Sequence, residues 1–214
     1  FLLELAEADP RVLGVVGWLD LRAADAADRL ERLAEHKAMK GLRHLVQDET
    51  DPSAFLQDAA FNAGVKQVLA RDMVYEVLVH AQDLPAAVAF CARHEGRLVL
   101  DHMAKPDVRH DGFAFWRKHM AELAAIPHVS CKLSGLVTEA VWGAWTQEQL
   151  RPYFAEVLEL FGPHRVLFGS DWPVCLLSGS YDAVVDLLHT ATGTLTSEEK
   201  EALWGMNACR IYNL

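Results

Sequence analysis

Short apolar, β-branched runs recur along the chain at residues 13–19, 42–47, 74–79, 97–101, 128–134 and 165–169. Their first residues are 29, 32, 23, 31 and 37 positions apart. Each run is five to seven residues long and largely apolar on both faces. A parallel strand covered by helices has this pattern. The stretches between the runs carry helical spacing instead. Residues 26–37 set Leu30 and Leu33 among charges, and residues 84–94 and 112–125 repeat that arrangement. Asp51-Pro52 reads as a cap followed by proline at the first helical position, ahead of a stripe of Phe55, Leu56, Ala59 and Ala63. Thr146 to Gln149 forms a capping box for a helix that ends at Gly162. Residues 181–190 give another helix, and Thr196 to Glu199 opens the last.

The order is therefore strand then helix, six times over. Parallel neighbours need crossovers of about a dozen residues, almost always right-handed. An open doubly wound sheet and a (β/α) barrel both satisfy this. No G-x-G-x-x-G and no phosphate-binding loop follows a run, which removes the feature that would favour the open sheet. A full barrel takes about 250 residues and eight strands. Six strands are visible, and two more units would complete it. No linker interrupts residues 1–214, so a single domain is expected.

Composition narrows the function. With 51% apolar and 23% charged residues the chain is globular. Its net charge of −10 argues against nonspecific binding to nucleic acid or an anionic membrane. No apolar run approaches the ~20 residues of a membrane span, and without a basic-then-apolar stretch in these residues a signal peptide is not expected. A cytoplasmic protein acting on a small molecule is expected, with a homo-oligomer left open. Cys91, Cys131, Cys175 and Cys209 are far apart and read as reduced thiols. The ten histidines include no HxH and no HExxH. The chain begins with Phe1, which is expected to reflect a start removed upstream or a fragment.

In either architecture the working groups sit at the carboxyl ends of strands. Asp171 follows Val-Leu-Phe-Gly-Ser, where a buried strand meets solvent. It reads as a general base or metal ligand, or as the cap of a turn. His102 can polarise a carbonyl, bind metal or shuttle a proton, or it can be a core histidine. Lys105 and Arg43 are candidates for gripping a substrate anion, with a buried ion pair as the other reading of Arg43. Lys132 and Ser134 face the same side of their strand, and a lysine there needs an inward carboxylate such as Glu49 or Asp171. Trp142 and Trp145 can line a sugar-sized pocket or pack over the rim. His36, His94, His110, His119, His164 and His189 read as surface residues.

These strand ends resemble a known family. Gly41 to Glu49 (GLRHLVQDE), Leu100 to Pro106 (LDHMAKP), Cys131 to Gly135 (CKLSG) and Arg165 to Val174 (RVLFGSDWPV) are similar, in order, to motifs of the amidohydrolase-related family. The match is to its sugar-lactonase branch, which also takes in the pyrone-dicarboxylate lactonases. Trp204 to Tyr212 resembles the family's final helix. The resemblance implies a (β/α)8 barrel of which this chain supplies strands three to eight, and a hydrolase that opens a lactone ring. It implies that Asp171 activates water and that His102 polarises the scissile carbonyl or binds metal. Arg43, Gln47, Lys105, Trp172 and Trp142 would contact substrate. A divalent metal, zinc first, would draw on Asp171, His102 and Glu49, although the branch also allows metal-free catalysis. The family's HxH pair on strand one is not in this sequence. Two other readings stand beside this one: a decarboxylase of an aromatic or unsaturated acid on the same barrel, and an inactive truncated remnant.

Overall fold

The computed structural model describes residues 1–110 and 112–214. Six strands form one parallel sheet: β1 (Val15–Gly17), β2 (Met39–His44), β3 (Val74–Val77), β4 (Leu98–Leu100), β5 (Val129–Leu133) and β6 (Val166–Phe168). Each pairs with the next in sequence, from β1 to β6. A doubly wound sheet reverses its strand order once. No reversal occurs among the described residues, so every crossover steps the same way and the sheet curls as part of a barrel.

The helices follow the expected intervals. They are α1 (Leu2–Ala8), α2 (Ala26–Ala34), α3 (Pro52–Gln57), α4 (Ala59–Ala70), α5 (Leu84–Arg93), α6 (Phe113–Ala124), α7 (Leu136–Glu139), α8 (Gln147–Phe161), α9 (Tyr181–Ala191), α10 (Ser197–Glu201) and α11 (Asn207–Tyr212). A π-turn at Ala202–Met206 joins the last two. No described helix is long and apolar enough to cross a membrane.

Side-chain alternation explains why the runs look apolar on both faces. Tyr75, Val77, Leu98, Leu100, Val129, Cys131, Leu133 and Val166 point outward into the core beneath the helices. Val74, Val99 and Leu167 point inward and pack against Ile211 of α11. The inward set continues as Glu76, Asp101, Lys132 and Ser134, which places these polar positions on the concave face, whereas His44 of β2 packs on Phe55 and Phe61 on the helix side.

Several expectations change. The second strand begins at Met39 and not at Leu42, because Lys40 and Gly41 are part of the ladder despite looking polar. The stripe through Phe55 and Ala63 is divided into α3 and α4 at Asp58, whose carboxylate accepts from Phe61 N at 2.7 Å and starts a new helix. His94 and His119 are buried, not on the surface. His94 Nε2 lies 2.8 Å from Asn62 Oδ1 between α5 and α4.

Candidate active site

The ends of β4, β5 and β6 build one constellation. By strand alternation residue 102 falls on the helix side, with Leu98 and Leu100. The backbone prevents that. His102, Met103, Ala104 and Lys105 have φ of 50°, 52°, 55° and 46°, a run of four left-handed residues without a glycine. Such a conformation costs about 1–2 kcal/mol per residue and persists only when its surroundings enforce it. Here Trp116 Nε1 donates to Met103 O at 2.7 Å, and Lys105 N donates to His102 O at 2.8 Å. The run turns the His102 ring inward. Its Nδ1 lies 2.8 Å from Ser134 Oγ and its Nε2 lies 3.6 Å from Asp171 Oδ1.

Two glycines make room for this. A Cβ at Gly135 (φ 68°) would lie 2.9 Å from the His102 ring, and one at Gly169 would lie 2.9 Å from Ser134 Cβ. Asp171 also has a left-handed φ of 56°, and its carbonyl accepts from Cys175 N at 2.9 Å. The side chains of His102 and Asp171 are only 11% and 13% exposed. Burial lowers the His102 pKa below the ordinary value, against the opposing pull of Asp101 and Asp171, so the imidazole is neutral near pH 7.

Beneath the pair lies a four-charge cluster. Lys132 Nζ contacts Glu76 Oε1 at 2.5 Å and Asp101 Oδ1 at 2.8 Å. Arg43 NH1 reaches Asp101 Oδ2 at 2.9 Å and Glu76 Oε2 at 3.6 Å. Tyr212 donates its hydroxyl to Glu76 at 2.6 Å. Burial would raise the Asp101 pKa, but the charges of Lys132 and Arg43 outweigh it and hold the group below its ordinary value. Glu76 goes the other way, raised by burial and by the charge on Asp101. Lys132 stays protonated: burial would lower its pKa, yet Glu76 and Asp101 raise it. The partners of Lys132 are thus Glu76 and Asp101, not Glu49 or Asp171. Glu76 gave the same signal in sequence as Lys132, a charge inside an apolar run.

The remaining predicted residues are dispersed. Arg43 is held in the cluster through NH1, which is the ion-pair reading of that residue. Glu49 is not brought to His102 and Asp171. Its Oε1 lies 2.7 Å from His44 Nε2, and His44 Nδ1 accepts from Trp18 Nε1 at 3.1 Å, so the carboxylate is committed to an imidazole N–H at the end of β2. Gln47 Nε2 donates to Asp48 Oδ1 at 3.2 Å. Trp142 donates to Thr138 O at 2.9 Å and is 54% exposed; Trp172, beside Asp171, is 63% exposed. Trp145 donates to Ser178 O at 3.0 Å and packs on the core.

Lys105 lines a cleft of about 650 Å³ with His80, Gln82, Arg109, Phe115 and Glu139 among others. His102 and Asp171 are not in its wall, but Lys105 is close enough to bear on the His102 charge. Burial raises the Glu139 pKa, with Lys105 and His80 opposing it. Glu139 and Arg109 were not singled out in sequence, since both lie in irregular or short helical segments without a periodic signal.

A neutral imidazole and a carboxylate are suitable donors for a divalent metal. Among the described residues, no group of three His, Cys, Asp or Glu side chains is arranged to hold one.

The sequence model of the amidohydrolase family matches residues 1–214. The L-fucono-1,5-lactonase of Burkholderia multivorans is 49% identical over 227 residues, covering 100% of this chain and 76% of that protein. Among solved structures, an amidohydrolase from Burkholderia multivorans with bound zinc superposes with a TM-score of 0.95 at 48% identity, over 100% of this chain and 78% of that one. A 2,6-dihydroxybenzoate decarboxylase from Rhizobium has a TM-score of 0.67 at 13% identity, over 99% of this chain and 74% of that one, a likeness of fold alone.

Proposed function

Because this chain belongs to the amidohydrolase family, we propose that it is a hydrolase opening the lactone ring of a sugar acid, with Asp171 and His102 as its catalytic residues. The observation that carries this reading is the 49% identity to an L-fucono-1,5-lactonase across the whole chain. It is supported by the position of the two side chains, 3.6 Å apart at the ends of β4 and β6. The decarboxylase alternative has only the fold-level likeness at 13% identity behind it. The six strands read as six consecutive members of an eight-stranded barrel, a reading supported by their unbroken order and by a zinc-bound neighbour of which this chain covers 78%.

In this mechanism Asp171 takes a proton from a water molecule, which attacks the ester carbonyl. His102 faces the carbonyl oxygen through Nε2 and stabilises the charge that develops there. The ring C–O bond breaks, and Asp171 returns the proton to the leaving alkoxide. The product is an open hydroxy acid. Lys105 holds the substrate from the cleft side, and Trp172 flanks it beside Asp171; Trp142 and Gln47 are further contacts, and Arg43 reaches it from the charge cluster beneath the pair.

Zinc would be held by His102 Nε2 and Asp171 and would supply Lewis-acid polarisation of the carbonyl. Catalytic zinc takes three protein ligands. His102 and Asp171 would be two of these, while Glu49 is paired with His44.

The test is turnover of a panel of sugar lactones, followed by proton release, by the protein and by Asp171→Asn. A loss of 10²- to 10⁴-fold is expected, the range of a general base. Unchanged rates would remove the mechanism. Release of carbon dioxide in place of protons would favour the decarboxylase, and no turnover of any substrate would favour a silent remnant.

A further inference from the structure

We infer that Ser134 is a positioning residue that decides which ring nitrogen of His102 carries the proton: its hydroxyl donates to Nδ1, so the imidazole presents an N–H at Nε2 on the side of Asp171. Ser134 is 3% exposed, and its Oγ lies 2.8 Å from His102 Nδ1. No other hydrogen bond of that oxygen occurs among the described residues. A buried hydroxyl proton needs an acceptor, and Nδ1 is the one within reach.

The opposite arrangement, with Nδ1–H donating to Oγ, leaves the hydroxyl proton facing no acceptor in a buried site. That arrangement costs the desolvation of an unpaired donor. The packing gives the hydroxyl little freedom to escape. Gly169 of the β6 end lies so close that a Cβ there would fall 3.2 Å from Oγ, and Gly135 backs the ring from the other side. Gly169 N, in turn, donates to Leu133 O at 3.3 Å and ties the two strand ends together.

The tautomer has a consequence for the chemistry. An Nε2–H is a donor suited to a carbonyl oxygen that gains negative charge. Ser134 thus holds His102 in the form that donates toward developing negative charge. The consequence for lactone opening rests on the function proposed above; the tautomer does not.

The experiment is 15N labelling of histidine in the full chain, metal-free and above pH 7, with two-bond proton–nitrogen correlations. The His102 signals are assigned by their loss in His102→Gln. The expected result is a protonated Nε2 and an unprotonated Nδ1, with the Nδ1–H population rising several-fold in Ser134→Ala. Ser134→Cys, which keeps a weak donor and nearly the same volume, is expected to fall between the two and serves if the alanine variant does not fold. A protonated Nδ1 in the unaltered protein, or the same tautomer ratio in all three, overturns the inference. A protein that opens no lactone yet shows Nε2–H would sink the function and leave Ser134's role intact. One that opens lactones with Nδ1–H would do the reverse.

Discussion

Gly135 lies against His102 so closely that a Cβ on it would meet the Cβ, Cγ and Nδ1 of that histidine at 2.9 Å. The glycine also holds a φ of 68°, which side-chain-bearing residues adopt at a cost. Gly135→Ala is therefore expected to displace the ring of His102 relative to Asp171. A shift of about 1 Å in a catalytic group costs about 10²-fold in rate. The prediction is a loss of that order in kcat for lactone turnover, with the urea midpoint changed far less than in a core truncation. Wild-type kcat in this variant would show that the contact does not fix the ring.

Lys132 bridges two buried carboxylates, and its removal leaves Glu76 and Asp101 with only Arg43 and Tyr212 to offset them. Breaking a buried pair from one side costs about 3–5 kcal/mol. Lys132→Met should lose that much stability in urea unfolding. Adding Glu76→Gln should recover part of it, because one uncompensated charge is then gone. A double variant less stable than the single one would contradict the cluster as described.

His94 predicts a pH dependence of stability. Its ring is buried, Nδ1 has no partner among the described residues, and burial lowers its pKa from 6.5 to about 4. The folded chain therefore binds fewer protons at this site than the unfolded chain between those values. Stability is fully present above pH 6.5 and is lost as pH falls toward 4, by up to about 3 kcal/mol. His94→Gln keeps a donor to Asn62 and does not titrate, so its stability profile should be flatter over that window. Parallel profiles for the two proteins would rule out His94 as the source.

The ammonium group of Lys105 has no hydrogen-bond or ion-pair partner among the described residues, and the residue stands in the cleft wall three positions from His102. If it holds the substrate without entering the chemistry, Lys105→Met removes binding shared by ground and transition states. The expected outcome is KM raised about tenfold with kcat within about threefold. A drop confined to kcat would move Lys105 into the reacting group itself.

Much of the framework was legible in the amino-acid order. The six apolar runs, the caps at Asp51, Thr146 and Thr196, and the polar strand ends all follow from patterns a few residues long. Asp58 shows the limit of such reading. It caps α4 as Asp51 caps α3, yet the apolar stripe runs on across it, so the two helices look like one. His94 shows another. Its neighbours in sequence, Arg93 and Glu95, are polar, and the buried ring meets Asn62 of α4 through Nε2 and Phe90, one turn back on α5.

The sequence by itself determined the strand–helix alternation and which side chains would stand at strand ends, because side-chain direction and capping are settled by residues within one turn or one pleat. Tertiary structure alone decided the rest: that the strands follow one another without reversal, that Lys132 pairs with Glu76 and Asp101, that Glu49 belongs to His44, and that His102 turns inward to meet Ser134 and Asp171. Those partners lie across the curl of the sheet or across a loop. Their meeting depends on strand register and on four left-handed residues held by Trp116, quantities that no local period encodes.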